Sequence, residues 1–295
     1  MKVKNLAAVF ALLAAALYAI NIPLSKLLLT CVEPTMMAAF LYLGAGLGLL
    51  ICGGIGKLAG RPVIKEPLTG RELPYIIAMV LLDIAAPILL MLGIARTSSA
   101  NVSLLNNFEI VATALTALLV FKEAISKRVW IAIALVTLAS IVLGFEGAGS
   151  FTFNSGSLLV LGACVCWGFE NNCTKMISGK SSVEIVIIKG CFSGLGSLIV
   201  ALVLGQQIPA LKWVFCVLLL GFVAYGLSIN FYIMAQKHLG AAKTSAFYSV
   251  APFLGVAFSM VLLGERPALQ FYAALLIMLL ATVLLVRDAG ADAEE

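Results

Sequence analysis

Apolar runs of about 20 residues alternate along this chain with short breaks rich in glycine, proline and charge. The runs lie at roughly 5–29, 35–56, 73–95, 100–121, 127–145, 156–178, 183–205, 211–235, 243–263 and 268–287. A helix needs about 20 residues to cross the hydrocarbon core of a bilayer. The pattern therefore predicts ten transmembrane helices joined by short loops, an all-α integral membrane protein.

The pattern also repeats. The stretch Ala100–Arg128 returns without a gap at Ala242–Gln270, and Ser103, Glu123 and Ala139 each match the same residue type 142 positions later, at Ser245, Glu265 and Ala281. The first and sixth runs match at a spacing of 149, Tyr18 with Trp167 and Lys26 with Lys175, the difference being taken up by the longer loop Lys57–Glu72. The repeat unit is five helices, residues 1–147 and 148–288, followed by a short acidic tail at 289–295. Five is odd, so two tandem copies cross the bilayer in opposite senses: two inverted five-helix repeats.

Charge sets the expected orientation. With a cytoplasmic N-terminus, 14 Lys and Arg residues fall in inner loops and 4 in outer ones, which places both termini in the cytoplasm of a multi-pass plasma-membrane protein. Composition agrees, with 62% hydrophobic and 11% charged residues and a mean hydropathy of +1.12. The net charge of +5 is spread over helix ends and loops, so no nucleic-acid partner is expected. The partners expected are the bilayer and a small-molecule substrate. Seven cysteines without a C-x-x-C and a single His238 argue against a redox motif or a zinc site, and no cofactor is expected. The basic, apolar N-terminus resembles a signal peptide, but its match in the second half makes it a helix of the repeat.

Ionisable groups deep in a span cost about 2.5–3.5 kcal/mol each, so they normally face a cavity or a partner. Asp83, Glu109, Glu170 and Lys189 are such groups, and Lys189 is expected either to line a site or to be neutralised by one of the acids. Around them lie the polar residues Asn21, Asn106, Asn171, Tyr225, Asn230 and Tyr248, with Ser25 on the face of Asn21. These form the candidate substrate site, with interhelical hydrogen bonding as the competing reading. Glu123 and Glu265, at the ends of the fourth and ninth runs, are expected to favour the positive ends of the helices that follow. Two GxxxG pairs, Gly44/Gly48 and Gly190/Gly194, are expected to be close helix contacts. No G-x-S-x-G, H-E-x-x-H or G-x-x-x-x-G-K-[ST] occurs, so neither catalysis nor nucleotide hydrolysis is expected.

Each half opens with an aromatic-containing run that ends in lysine (Tyr18 to Lys26; Trp167-Gly168 to Lys175). Each also has a fourth run ending in FKE (Phe121–Glu123) or LGE (Leu263–Glu265). In this the chain resembles the EamA family of the drug/metabolite transporter superfamily over residues 5 to 287. The resemblance implies a ten-helix carrier working by alternating access, with a cavity lined mainly by spans 1, 3, 4, 6, 8 and 9 and spans 5 and 10 at the sides. It also implies export of amino acids and other small metabolites. Two positions depart from the family: Ile110 stands where proline is usual, although Pro252 keeps it in the second half, and Phe40 stands where a basic residue is usual, although its counterpart is Lys189.

The expected function is secondary transport of a small polar metabolite, outward, with proton exchange as the energy source. A uniporter or channel is the alternative, and a non-transporting scaffold or an intramembrane enzyme fits less well. Cysteines introduced in the 146–155 loop should react with an impermeant label only from outside, and those in the 57–72 loop only from inside. Mixed or reversed labelling overturns the inverted repeat.

Overall fold

The computed structural model describes residues 2–58, 67–122, 126–144, 154–177, 179–239, 248 and 250–291, and all regular structure among them is helical. The helices are α1 (Lys2–Ala19), α2 (Asn21–Leu28), α3 (Pro34–Leu58), α4 (Leu73–Arg96), α5 (Ser99–Leu105), α6 (Phe108–Leu119) and α7 (Lys127–Gly144). They continue as α8 (Ser155–Ile177), α9 (Ser182–Val203), α10 (Leu211–Gly221), α11 (Ser228–Leu239), α12 (Ala251–Leu263) and α13 (Leu269–Ala291). A π-helical turn, Phe222–Leu227, joins α10 to α11, and a 3₁₀ turn, Gly70–Glu72, leads into α4.

Every apolar run of the sequence is helical where described. Among the described residues six stretches are long and apolar enough to cross a membrane by length and composition: Leu6–Leu28, Pro34–Gly56, Gly70–Arg96, Ser99–Leu119, Ser182–Val203 and Leu211–Tyr232. Three of the runs are interrupted: the first breaks at Ile20, the fourth at Asn106–Asn107, and the eighth passes through the π turn. The start of the ninth run, residues 243–247, lies outside the described residues.

The connections meet at two ends of the bundle. At one end Gln206 accepts from the Met36 amide at 3.0 Å and Glu265 reaches Ser99 and Ala100; at the other Glu184 accepts from the Leu68 amide at 2.9 Å and Lys180 lies 3.8 Å from Glu72. The packing partners come in matched sets. α4 packs on α8 as α1 packs on α11; α6 packs on α8 as α12 packs on α1; α3 packs on α9, and α7 on α13.

The interior is built from small residues and the periphery from large aliphatic ones. Ala11, Ala14, Ala15, Ala38, Ala39 and Ala163 have no accessible surface, whereas Val203, Leu211 and Leu269 are more than four-fifths exposed, as suits a lipid-facing surface. The tightest seam is α3 against α9. A Cβ on Gly190 would stand 2.4 Å from the backbone nitrogen of Gly46, so only glycine allows the two backbones to meet there. All four glycines of the two GxxxG pairs are close helix contacts, as expected: Gly190 meets Gly46, Gly194 meets Leu43, and Gly44 and Gly48 lie against Leu218 and Phe222.

Gly190→Ala is expected to cost about 1–3 kcal/mol through backbone displacement, read as a lower apparent Tm in detergent. Gly54→Ala, where a Cβ meets nothing within 4 Å, should leave Tm unchanged.

Candidate functional site

The helix breaks lie beside one another in the interior, and two of them have a local account. Pro23 has no N–H for the Ala19 carbonyl, which separates α1 from α2. At Asn106–Asn107 the bonds tighten to the i−3 pattern, Glu109 to Asn106 and Ile110 to Asn107. Side chains reach the carbonyls of this turn as well: Asn107 Nδ2 donates to Leu104 O at 3.1 Å, and the Cys164 thiol lies 3.7 Å from Leu105 O. Irregular backbone at this depth requires such internal partners, because lipid offers none. One consequence is that Glu109 sits in the first turn of α6, at the positive end of a helix that begins inside the bundle.

Three helices bring charge together. Lys189 Nζ of α9 lies 2.9 Å from Glu170 Oε1 of α8 and 3.2 Å from Asp83 Oδ2 of α4. Both acids are fully buried. Asp83 Oδ1 also accepts from the Tyr42 hydroxyl at 2.9 Å, and that hydroxyl receives the Trp167 indole N–H at 3.3 Å. Glu170 further accepts from the Thr174 hydroxyl one turn along. The competing reading of Lys189 as an ion-pair partner is therefore observed, with two acids rather than one.

The repeat relation explains this layout. At spacings of 149 and 142, Asn21 stands where Glu170 stands and Tyr225 where Asp83 stands. Asn21 Nδ2 donates to the Tyr225 hydroxyl at 3.0 Å, a neutral twin of the charged triad. Ser25 donates to Asn21 Oδ1 at 3.1 Å as Thr174 donates to Glu170.

Tyrosines connect the two polar pairs. Ring centroids are 5.4 Å apart for Tyr42 and Tyr225, 5.8 Å for Tyr225 and Tyr18, 5.9 Å for Tyr18 and Tyr248, and 5.1 Å for Tyr248 and Tyr232. Asn106 Nδ2 donates to the Tyr18 hydroxyl at 3.2 Å. Glu109 lies one helical turn beyond Asn106, whose amide reaches the Tyr18 hydroxyl. Its Oε1 accepts from Asn171 Nδ2 at 2.7 Å, and the same amide reaches Thr113 Oγ1 at 3.2 Å.

Of the residues expected at the site, Asn21, Asp83, Asn106, Glu109, Glu170, Asn171, Lys189, Tyr225 and Tyr248 fall into this connected region. Asn230 is set apart, its amide 3.9 Å from Met234 Sδ on its own helix. Tyr42, Trp167 and Tyr18 belong to the region but were not among the expected site residues. Aromatic residues with one polar atom read as apolar in a span, and only the pairing of Tyr18 with Trp167 in the repeat marked two of them. Tyr42 and Lys189 add spans 2 and 7 to the spans that contribute.

Glu265 was expected to favour the helix that follows it. Instead it turns back after Gly264, whose φ of 64° ends α12, and its two oxygens accept the Ser99 and Ala100 amides at 2.8 and 2.7 Å, at the start of α5. Lys122, 142 residues earlier, takes the same left-handed conformation at φ 57°. Glu123 lies outside the described residues.

Removing the cation from the triad leaves two buried carboxylates uncompensated. Lys189→Met is expected to lower stability by about 3–5 kcal/mol. The triple variant Lys189→Met, Asp83→Asn, Glu170→Gln should recover most of that loss in thermal unfolding.

The chain overlays a crystal structure of a protein 15% identical to it with a TM-score of 0.67, over 94% of each chain, a likeness of fold. It is 25% identical over 265 residues to an uncharacterized transporter of Methanothermobacter thermautotrophicus (strain ATCC 29096 / DSM 1053 / JCM 10044 / NBRC 100330 / Delta H), covering 84% of this chain and 76% of that protein. The EamA-like transporter family matches residues 5–145 and 154–287. With nearly all of its length matched, this multi-pass membrane protein belongs to the EamA-like transporter family.

Proposed function

We propose that the protein is a secondary carrier that exports small polar metabolites, a class that includes amino acids, by alternating access between two inverted five-helix halves. The observation that carries this reading is the connected polar region at the helix breaks, where α2, α4, α6, α8, α9 and the π turn all contribute side chains. Buried charge is expensive within a bilayer, so a scaffold gains nothing by keeping a third carboxylate, Glu109, outside the ion-paired set. The exchange-related packing of α4 on α8 and α1 on α11 supports the inverted repeat. The bias of lysine and arginine supports a plasma-membrane protein with cytoplasmic termini.

Proton exchange is the energy source that fits an interior carboxylate without a lysine partner. Glu109 can bind either a proton or a substrate cation, and a site open to each face in turn would load one and release the other. A uniporter would use the same acid for binding alone.

In proteoliposomes, substrate flux is expected to saturate, to show counterflow and to be abolished by Glu109→Gln with membrane insertion intact. Linear, non-saturating flux would make the protein a channel. An imposed pH gradient should drive accumulation that an uncoupler collapses; flux that runs only downhill and ignores the uncoupler makes the protein a uniporter.

A further inference from the structure

The charges of the interior do not divide evenly. Lys189 is shared between Asp83 and Glu170 at 3.2 and 2.9 Å, and both of those acids lack accessible surface. Glu109 differs on each count. Among the described residues no cation lies within ion-pair distance of it, and it is only half-buried. Its held oxygen, Oε1, faces Asn171, a neutral amide. The first turn of α6 and the Asn171 amide both favour a negative charge there, and neither cancels it.

The wall around Glu109 sorts in the same way. Tyr18, Tyr248 and Tyr232 keep part of their surface accessible, as Glu109 and Asn171 do, whereas Tyr42, Tyr225, Asp83, Glu170 and Asn21 are buried. Partly accessible aromatic rings thus accompany the partly accessible carboxylate of Glu109. Ring faces carry negative electrostatic potential and attract organic cations.

A ligand carboxylate finds no such match. Lys189 already faces two acids, and the donors left over, a second N–H on Asn21 and on Asn106 and the tyrosine hydroxyls, are neutral and offset no charge. A zwitterion would bring a negative group next to Glu109 and Glu170 with no free cation among the described residues to receive it.

We infer that this site takes an organic cation, an amine with a ring-sized apolar body and no carboxylate, its ammonium group on Glu109 and its body against Tyr18 and Tyr248. This rests on the reading of the protein as a small-molecule carrier and narrows its substrates to amines. The ammonium group also replaces the proton at Glu109, so amine and proton occupy the site in turn.

Three ligands of one shape test it: phenethylamine, phenylalanine and 3-phenylpropanoate, cationic, zwitterionic and anionic. Added to the purified protein in detergent at neutral pH, phenethylamine is expected to bind at least tenfold more tightly than phenylalanine, read by thermal shift. The propanoate should give no shift. Glu109→Gln should lose at least tenfold in affinity for the amine, while Glu109→Asp, which keeps the charge, loses only a few-fold. On the unaltered protein, labelling of Glu109 by a hydrophobic carbodiimide, located by mass spectrometry, should be slowed by phenethylamine and not by phenylalanine. That measurement decides the matter if Glu109→Gln does not fold.

Absence of amine binding at millimolar concentration, equal affinity for phenylalanine, or undiminished binding to Glu109→Gln overturns the inference. Because binding is read at equilibrium, an amine that binds but never crosses proteoliposomes would overturn the carrier reading and leave this one standing. Saturable flux of a zwitterion or an anion with no amine binding would do the reverse.

Discussion

A lysine ammonium held between two carboxylates inside a helical bundle is the constraint around which the rest is arranged. None of these groups could remain charged alone at that depth, since each would cost several kcal/mol. Together they tie α4, α8 and α9, and the Tyr42 hydroxyl draws in α3. The position of Lys189 follows from its neighbour in sequence. Gly190 lets the α9 backbone approach α3 until a Cβ would stand 2.4 Å from Gly46, and that approach brings Lys189 to the depth of Tyr42 and Asp83. A packing feature and an electrostatic one thus fix the same helix.

The duplicated halves have divided their chemistry. Asn21 with Tyr225 occupies the place that Glu170 with Asp83 occupies in the twin position, and the lysine between the acids corresponds to Phe40 in the other half. A neutral pair needs no cation, so phenylalanine suffices there. The acid outside this arrangement, Glu109, has Ala251 as its counterpart and sits where the fourth run breaks. One half therefore supplies a helix start with a carboxylate, and the other supplies aromatic rings, Tyr225 and Tyr248, that face it.

Much of this was legible in the sequence, for physical reasons that also mark where legibility stopped. Span length is set by bilayer thickness, so the apolar runs could be located by counting residues. The deep acids and Lys189 stood out because ionisable groups are costly there. The breaks at Ile20 and Asn106–Asn107 did not stand out, because hydropathy summed over a window is insensitive to one freed carbonyl. Nor did the target of Glu265, which depends on how the two halves pack: the carboxylate meets α5 across the bundle, 165 and 166 positions away in sequence. Tyr42 went unnoticed because a phenol within an apolar run is indistinguishable by composition from a packing residue until its hydroxyl is seen to find Asp83.

That distant contact also bears on movement. The turn between α4 and α5 is gripped from two sides by charges suited to the helix ends they touch. Lys26 of α2 donates to the last carbonyls of α4, at Ile94 and at Thr97 with a distance of 2.6 Å to the latter, while Glu265 takes the first amides of α5. Ser99 and Ser259 share a further bond at 2.8 Å, and Gly255 admits Ser103 against α12. These bonds hold the first, third, fourth and ninth runs together at one end of the bundle. A carrier of the proposed kind has to release them to open that end. The partners they would lose are backbone amides and carbonyls at helix ends, groups that water can satisfy once the end opens. The triad at Lys189 has no such replacement at its depth, so motion that parts the helix ends while leaving the triad intact is the course that the chemistry favours.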